Sequence, residues 1–212
     1  NWTVLDQAVA DAVRASGPKT RLLTGSVSGP ATQEAIYEFL GGVANGTSVS
    51  DMHMAWQPDG YDNLRQATQE LFGLNGLPDY RIADARVIMS FGADFLDTFI
   101  SPERFSSDWA RSRKVEDRGD KMSSTIVFEP RMTMTGGSAD RRFVVRQGHL
   151  INVAGAITHL VAKEMRASSA IIDQVKGYDP NAISTQTGIK IEDLIALSKR
   201  LVEHAGSCVV FG

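Results

Sequence analysis

Apolar residues recur along this chain with two periods, and the alternation between the periods predicts its elements. Val4, Ala8, Val9, Ala12 and Val13 fall at helical spacing over residues 3–15, with Asp6 in the first turn and Gly17-Pro18 as the stop. Residues 21–25 read as a short strand, 26–30 as a turn of small residues, and 32–40 as a second amphipathic helix ended by Gly41-Gly42. Residues 43–56 carry neither period clearly. A helix is predicted over 61–72, closed by Gly73, and the clearest strand over 85–91. A helix opening on Pro102 follows over 102–114, then strands over 123–128 and 142–145. Helices over 149–165 and 191–204 and a last strand over 207–212 complete the pattern.

Strands alternating with amphipathic helices predict an α/β fold: a doubly wound, mainly parallel, Rossmann-like sheet flanked by helices. Such sheets bind ligands outside the carboxyl ends of their strands. The strands at Leu22, Val87 and Val127 are therefore expected in one sheet. Their following loops, residues 25–30, 92–97 and 129–140, are expected on one edge. These loops are rich in Gly, Ser, Thr and Asp, which suits close approach to phosphate and hydrogen bonding to a ribose or base. One domain is expected over 1–206, with 207–212 as the first strand of a following segment. An edge strand with nothing after it needs a neighbour, so the chain is expected to be a piece of a larger subunit.

Charge and composition narrow the chemistry. The chain has 212 residues, 42% hydrophobic and 22% charged, with a formal net charge of −3. A nucleic-acid partner is not expected without a basic excess. The single cysteine, Cys208, forms no internal disulfide and holds no iron–sulfur cluster or zinc site by itself. Within its apolar run it reads as a small core residue. No apolar run reaches the roughly 18–20 residues of a membrane span. Neither the G-x-G-x-x-G nor the G-x-x-x-x-G-K-[ST] pattern occurs, and Gly25-Ser26-Val27-Ser28-Gly29 has Val27 where a nucleophile would stand. His53, His149, His159 and His204 have no ligand spacing. The mixed-sign run from Arg111 to Arg118 reads as a solvated helix end. Arg131, Arg141, Arg142 and Arg146 flank a proposed loop; pairing with a pyrophosphate or acidic partner and plain surface charge are equally weighted.

At these loops the sequence resembles the molybdopterin oxidoreductase (dimethyl-sulfoxide-reductase) superfamily. The run Ile82-Ala83-Asp84-Ala85-Arg86-Val87-Ile88-Met89-Ser90-Phe91-Gly92-Ala93-Asp94-Phe95-Leu96 resembles the family's strand leading into a "G-x-N/D" cofactor loop. Val127-Phe128-Glu129-Pro130-Arg131, then Ala139-Asp140, then Val145-Arg146-Gln147-Gly148 resembles its later "V-x-D-P-R … A-D … I-R-P-G-T-D". Residues 21–25, with Phe39-Leu40-Gly41-Gly42, resemble the strand and helix opening the family's second domain. Residues 90–96 and Trp56-Gln57-Pro58 look most like the molybdopterin-like subunit of alternative complex III, with polysulfide and thiosulfate reductase large subunits next.

The resemblance implies a molybdopterin guanine dinucleotide cradle contacted by Gly25, Ser26, Gly92, Asp94, Glu129, Arg131, Asp140 and Gly148, with no catalytic residue and no metal ligand in this chain. It implies iron–sulfur and membrane subunits of a respiratory complex as partners, together with the remainder of its own subunit, on the periplasmic side of the cytoplasmic membrane. The departures from the pattern imply that this cradle is degenerate. Glu129 stands where the family has Asp. Gln147-Gly148-His149-Leu150 replaces "P-G-T-D", and a leucine cannot accept guanine N–H bonds. No cysteine lies in residues 45–56, where active members carry the metal ligand; Ser50 and Asp51 are the candidates there. Three readings stay open: an electron-transfer-complex domain with a degenerate cofactor site and no turnover of its own, an active dinucleotide-binding domain of a polysulfide- or thiosulfate-reductase-like oxidoreductase, and a stand-alone nucleotide-binding or interaction module. Backbone contacts from Gly92 and Gly136-Gly137 to phosphate are expected to survive in the degenerate case.

Overall fold

A computed structural model describes residues 1–57, 60–118, 122–204 and 207–212, with the side chains of 117, 118 and 208–211 outside the description. Pro58 of the Trp56-Gln57-Pro58 motif and residue 206 at the expected boundary are also outside it. The chain forms two compact units, Asn1–Pro78 and Asp79–Gly212.

The first unit begins with α1 (Trp2–Ser16), whose N-terminus Asn1 caps by accepting from the Thr3 N–H at 3.1 Å. There follow β1 (Leu22–Thr24), α2 (Pro30–Gly41), α3 (Val49–Met52), β2 (His53–Ala55) and α4 (Asp62–Phe72). β1 and β2 pair in parallel, Leu22 with His53 and Thr24 with Ala55. Leu40 and Met52 are fully buried at the centre of this unit, with Ile36 and Ala44 beside them. Leu22 therefore lies in a separate two-stranded sheet, which corrects the expectation of one sheet for Leu22, Val87 and Val127. The partner strand β2 has only three residues, too few for a period to show, so the pairing was not readable from residues 43–56.

The second unit holds β3 (Val87–Phe91), α5 (Pro102–Ser112), α6 (Val115–Arg118), β4 (Ser124–Glu129), α7 (Met134–Ser138) and β5 (Arg141–Val144). It continues with α8 (Leu150–Glu164), α9 (Ser169–Val175), α10 (Pro180–Thr187), α11 (Ile191–Glu203) and β6 (Cys208–Phe211). The sheet order is β5-β4-β3-β6, with every pairing parallel. Residues 207–212, expected to open a following segment, instead supply the fourth strand of this sheet beside β3. All residues of β3 and β4 are buried, as strands covered on both faces must be. Val87, Met89, Phe91, Ile126 and Phe128 pack with Val153, Ala156 and Ile157 of α8 and Leu194 and Leu197 of α11. Phe91, Phe128 and Phe143 stack across three strands, with centroids 4.7 and 5.0 Å apart. Thr125 alternates with Ile126 and so faces the other side, where Trp109 of α5 donates to its hydroxyl at 2.8 Å. Helices thus cover both faces, and the mixed α/β, Rossmann-like class expected from the sequence is the one observed.

Candidate functional site

Chain order in this sheet sets where a ligand belongs. β3 leads outward in one direction to β4 and β5, and β6 lies on its other side. Crossovers therefore reverse at β3, and such a switch point opens a crevice at the carboxyl ends of the strands. A cavity of about 460 Å³ lies beside this point, on the carboxyl edge of β3 and β4. Gly92, Asp94 and Asp97 reach it from the end of β3, Glu129 and Arg131 from β4, and Gln147 from the turn after β5. Residues 92–97, 129–131 and Gln147, from the stretches of the resemblance that lie in the second unit, thus contribute to one cavity.

The groups lining this cavity are largely committed to one another. Asp94 Oδ1 accepts from the Thr135 backbone N–H at 3.0 Å and from its hydroxyl at 2.7 Å, which ties α7 to the β3 loop. Glu129 is 2% exposed. Its carboxylate accepts from the Thr133 N–H at 3.3 Å, the Thr133 hydroxyl at 2.7 Å and Arg142 Nε. Gly136 packs directly on that carboxylate: a Cβ there would lie 1.8 Å from Glu129 Oε1. The expected backbone phosphate contacts are not available. Gly92 N–H donates to Phe128 O at 2.9 Å, Gly136 N–H to Thr133 Oγ1 at 3.0 Å and Gly137 N–H to Thr133 O at 2.9 Å. Gly92 keeps a left-handed φ of +75°, which suits the turn leaving β3.

Two of the eight predicted contact residues, Gly25 and Ser26, belong to the first unit. Ser26 lines a cavity of about 350 Å³ there with Trp56, Gln57, Asp62 and Arg65. Gly92, Asp94, Glu129 and Arg131 come together as expected, and Gly148 is exposed in the turn after β5 at the same edge. Asp140 does not join them. The loop from Glu129 crosses the sheet, so Asp140 arrives at the amino edge and accepts from the Thr125 N–H at 2.7 Å. Arg113 grips it with two bonds of 2.7 and 2.8 Å. Partial burial alone would raise the Asp140 pKa, but the hydrogen bonds from Arg113 and Thr125 outweigh it and hold the carboxyl below its usual range.

The arginine cluster also separates. Arg141 pairs with Asp193 at 2.8 Å and Arg142 with Glu129. Arg131 and Arg146 are exposed and have no ion-pair partner among the described residues. Sequence reasoning missed Thr133 and Thr135, whose hydroxyls fix Glu129 and Asp94, two of the three acidic residues of the cavity. A threonine ahead of Gly136-Gly137, capping a helix, was the available signal. No group of three metal-ligating side chains occurs among the described residues. Ser50 is bonded to Ser48 on the short α3. No helix among the described residues is long and apolar enough to cross a membrane.

The two positions where the resemblance implies guanine-reading carboxylates are now explicit. Position 129 is a carboxylate held by Arg142 and Thr133. Position 150 is a buried core leucine, whose Cδ1 lies 3.0 Å from where a Cβ on Gly92 would stand. These residues do not fit a guanine read by two free carboxylates. Against known proteins, no family model matches the chain. No curated protein matches it by sequence. Among solved structures it is similar in fold to acetylene hydratase from Pelobacter acetylenicus, with a TM-score of 0.63 and 12% identity over 98% of this chain. The chain spans only 28% of that protein, so the likeness is to one part of a larger enzyme.

Proposed function

We propose that this chain is a domain of a molybdopterin-type oxidoreductase subunit, acting within a membrane-associated respiratory electron-transfer complex with a cofactor cradle that no longer reads guanine. The observation that carries the reading is the convergence of Gly92, Asp94, Glu129, Arg131 and Gln147 on one switch-point cavity. Part of the sequence resemblance, residues 92–96, 129–131 and 147, was built on these stretches, and their meeting at one cavity supports the reading. The fold likeness to part of a larger enzyme over 98% of the chain supports its being one domain of a bigger subunit.

Loss of cofactor reading rests on charge and pairing. Asp94, Asp97 and Glu129 face Arg131, the only cation lining the cavity among the described residues. Its N–H groups at Gly92 and Thr133 are already bonded, as are those of Thr135, Gly136 and Gly137 in the adjoining α7. A pyrophosphate needs free donors and positive charge. Acting in a complex, such a domain positions its partners without turning over substrate. Its partners in this reading are the rest of its subunit and cluster-bearing and membrane subunits, on the periplasmic face.

The test is purification of the full-length subunit from its source without overexpression. Co-purifying iron–sulfur and membrane subunits, with molybdenum and releasable guanine nucleotide well below one per subunit, are expected. Stoichiometric molybdenum with guanine nucleotide would instead establish the active-domain reading. Recovery of the subunit alone would remove the complex.

A further inference from the structure

A second cavity, of about 430 Å³, lies beyond β5, away from the switch point. Arg146 enters it from the end of β5, His149 from the following turn, and Gln186 from the last turn of α10. The proposed function makes no use of this cavity, so the failure of either reading leaves the other intact.

The hydrogen bonds behind this cavity decide its polarity. Asn152 of α8 places its amide nitrogen 3.4 Å from His149 Nδ1 and 3.3 Å from Gln186 Oε1. An amide nitrogen only donates, so both of those atoms accept. The neutral His149 ring then carries its proton on Nε2, and Gln186 is left with its Nε2 donors. Arg146 adds a guanidinium with no ion-pair partner among the described residues. Among the described residues no Asp or Glu lines the cavity, and Val144 and Val145 supply an apolar wall. Three side chains from three elements thus offer donors alone. The C-terminus of α10 carries a partial negative charge that opposes an anion, but it is smaller than the full charge of Arg146.

We infer that this cavity binds a small organic phosphate, its phosphoryl group held by Arg146 with His149 and Gln186 and its organic part against Val144 and Val145. Donors spread over three elements suit the three terminal oxygens of a phosphoryl group better than the two oxygens of a planar carboxylate. The volume lies within the range of small-molecule sites and exceeds the need of a bare ion.

The experiment is an NMR titration of the isotopically labelled chain with inorganic phosphate, glycerol 3-phosphate and acetate at constant ionic strength. Saturable shifts at the amides of Arg146, His149 and Gly188 are expected, tightest for glycerol 3-phosphate and weakest for acetate. Arg146→Ala should weaken phosphate binding by about tenfold to a hundredfold, the usual range for losing a charged hydrogen-bonding partner. Asn152→Leu, which removes no charge, should weaken it several-fold by freeing His149 and Gln186 from their fixed roles. Lys199→Ala removes an exposed charge elsewhere and should leave binding unchanged, with melting temperatures reporting that each variant is folded. Absence of saturable shifts, or equal effects of Arg146→Ala and Lys199→Ala, would overturn the site. Acetate binding as tight as phosphate would overturn the assignment to phosphate.

Discussion

Replacing Gly136 with alanine tests how the switch-point cavity is built. The new Cβ would lie 1.8 Å from Glu129 Oε1, 2.5 Å from its Cδ and 2.9 Å from Oε2. Contacts under 3.0 Å are not sustained by real Cβ atoms, so the carboxylate or α7 must move. The carboxylate has nowhere to go without leaving Arg142 and both Thr133 bonds, because its side chain is 3% exposed. α7 is equally held, through the Thr135 bonds to Asp94. Breaking a buried ion pair costs about 3–5 kcal/mol. Alanine in place of glycine within a helix returns about 1 kcal/mol. A net loss of roughly 2–4 kcal/mol is expected, a large part of the ~5–15 kcal/mol that holds a typical domain. Gly137→Ala is the matched control, since nothing lies within 4 Å of a Cβ there. The assay is urea unfolding combined with amide hydrogen exchange in β3 and β4, which isolates the second unit from the first. Gly136→Ala should speed exchange in these strands and lower the midpoint, and Gly137→Ala should do neither. In a Glu129→Ala background the Gly136→Ala penalty should largely vanish, because the obstructing carboxylate is gone. Equal stabilities of the two glycine variants would refute the reasoning.

Other expectations rest on the same kind of packing and charge argument. Gly155 on α8 faces the Tyr178 ring, where a Cβ would meet ring carbons at 2.3 to 2.8 Å. Gly155→Ala should destabilise by about 1–3 kcal/mol from overpacking, exceeding its helix-propensity gain, and Tyr178→Ala should remove the penalty in thermal unfolding of the double variant. Asp140 contributes stability through its lowered pKa, so that contribution is complete above its ordinary value of 3.8 and is lost as pH falls through the lowered one. Asp140→Asn should therefore flatten the acid limb of the stability curve while leaving its slope near neutrality unchanged, as measured by urea midpoints across pH.

The sequence disclosed most where burial is complete. Residues 85–91 and 123–128 read as strands because β-rich runs between turn signals have few other uses, and the observed strands, Val87–Phe91 and Ser124–Glu129, lie within a residue or two of them. It disclosed least where a contact depends on topology. Nothing in the spacing of Glu129 and Asp140 says that the intervening loop crosses the sheet, so Asp140 was grouped with the wrong edge. The β1 strand has three residues and a half-buried pattern, which leaves its sheet partner undetermined until β2 is seen. Besides the single-turn helices α3, α6 and α7, two longer helices passed unread for different reasons. α10 announces itself through Asp179-Pro180 at its start and Gly188 in a left-handed cap at its end, signals present in the sequence and overlooked. α9 buries no residue, so it left no periodic stripe to find. The donor character of Glu129's surroundings was likewise hidden, since Thr133 and Arg142 meet it only after the chain has folded back.

The proposed reading is a molybdopterin-type cradle kept in outline, with a leucine at position 150 and the Glu129 carboxylate committed to Thr133 and Arg142. Isothermal titration of the chain with GDP tests it most directly. Two missing or committed carboxylates, at about 1–3 kcal/mol each for unpaired guanine donors, imply a loss of roughly a hundredfold. The account predicts no binding at micromolar GDP, for the unaltered chain and for Asp94→Ala and Glu129→Ala alike. Micromolar or tighter binding to the unaltered chain, abolished by Asp94→Ala or Glu129→Ala, would contradict it and show a working cradle.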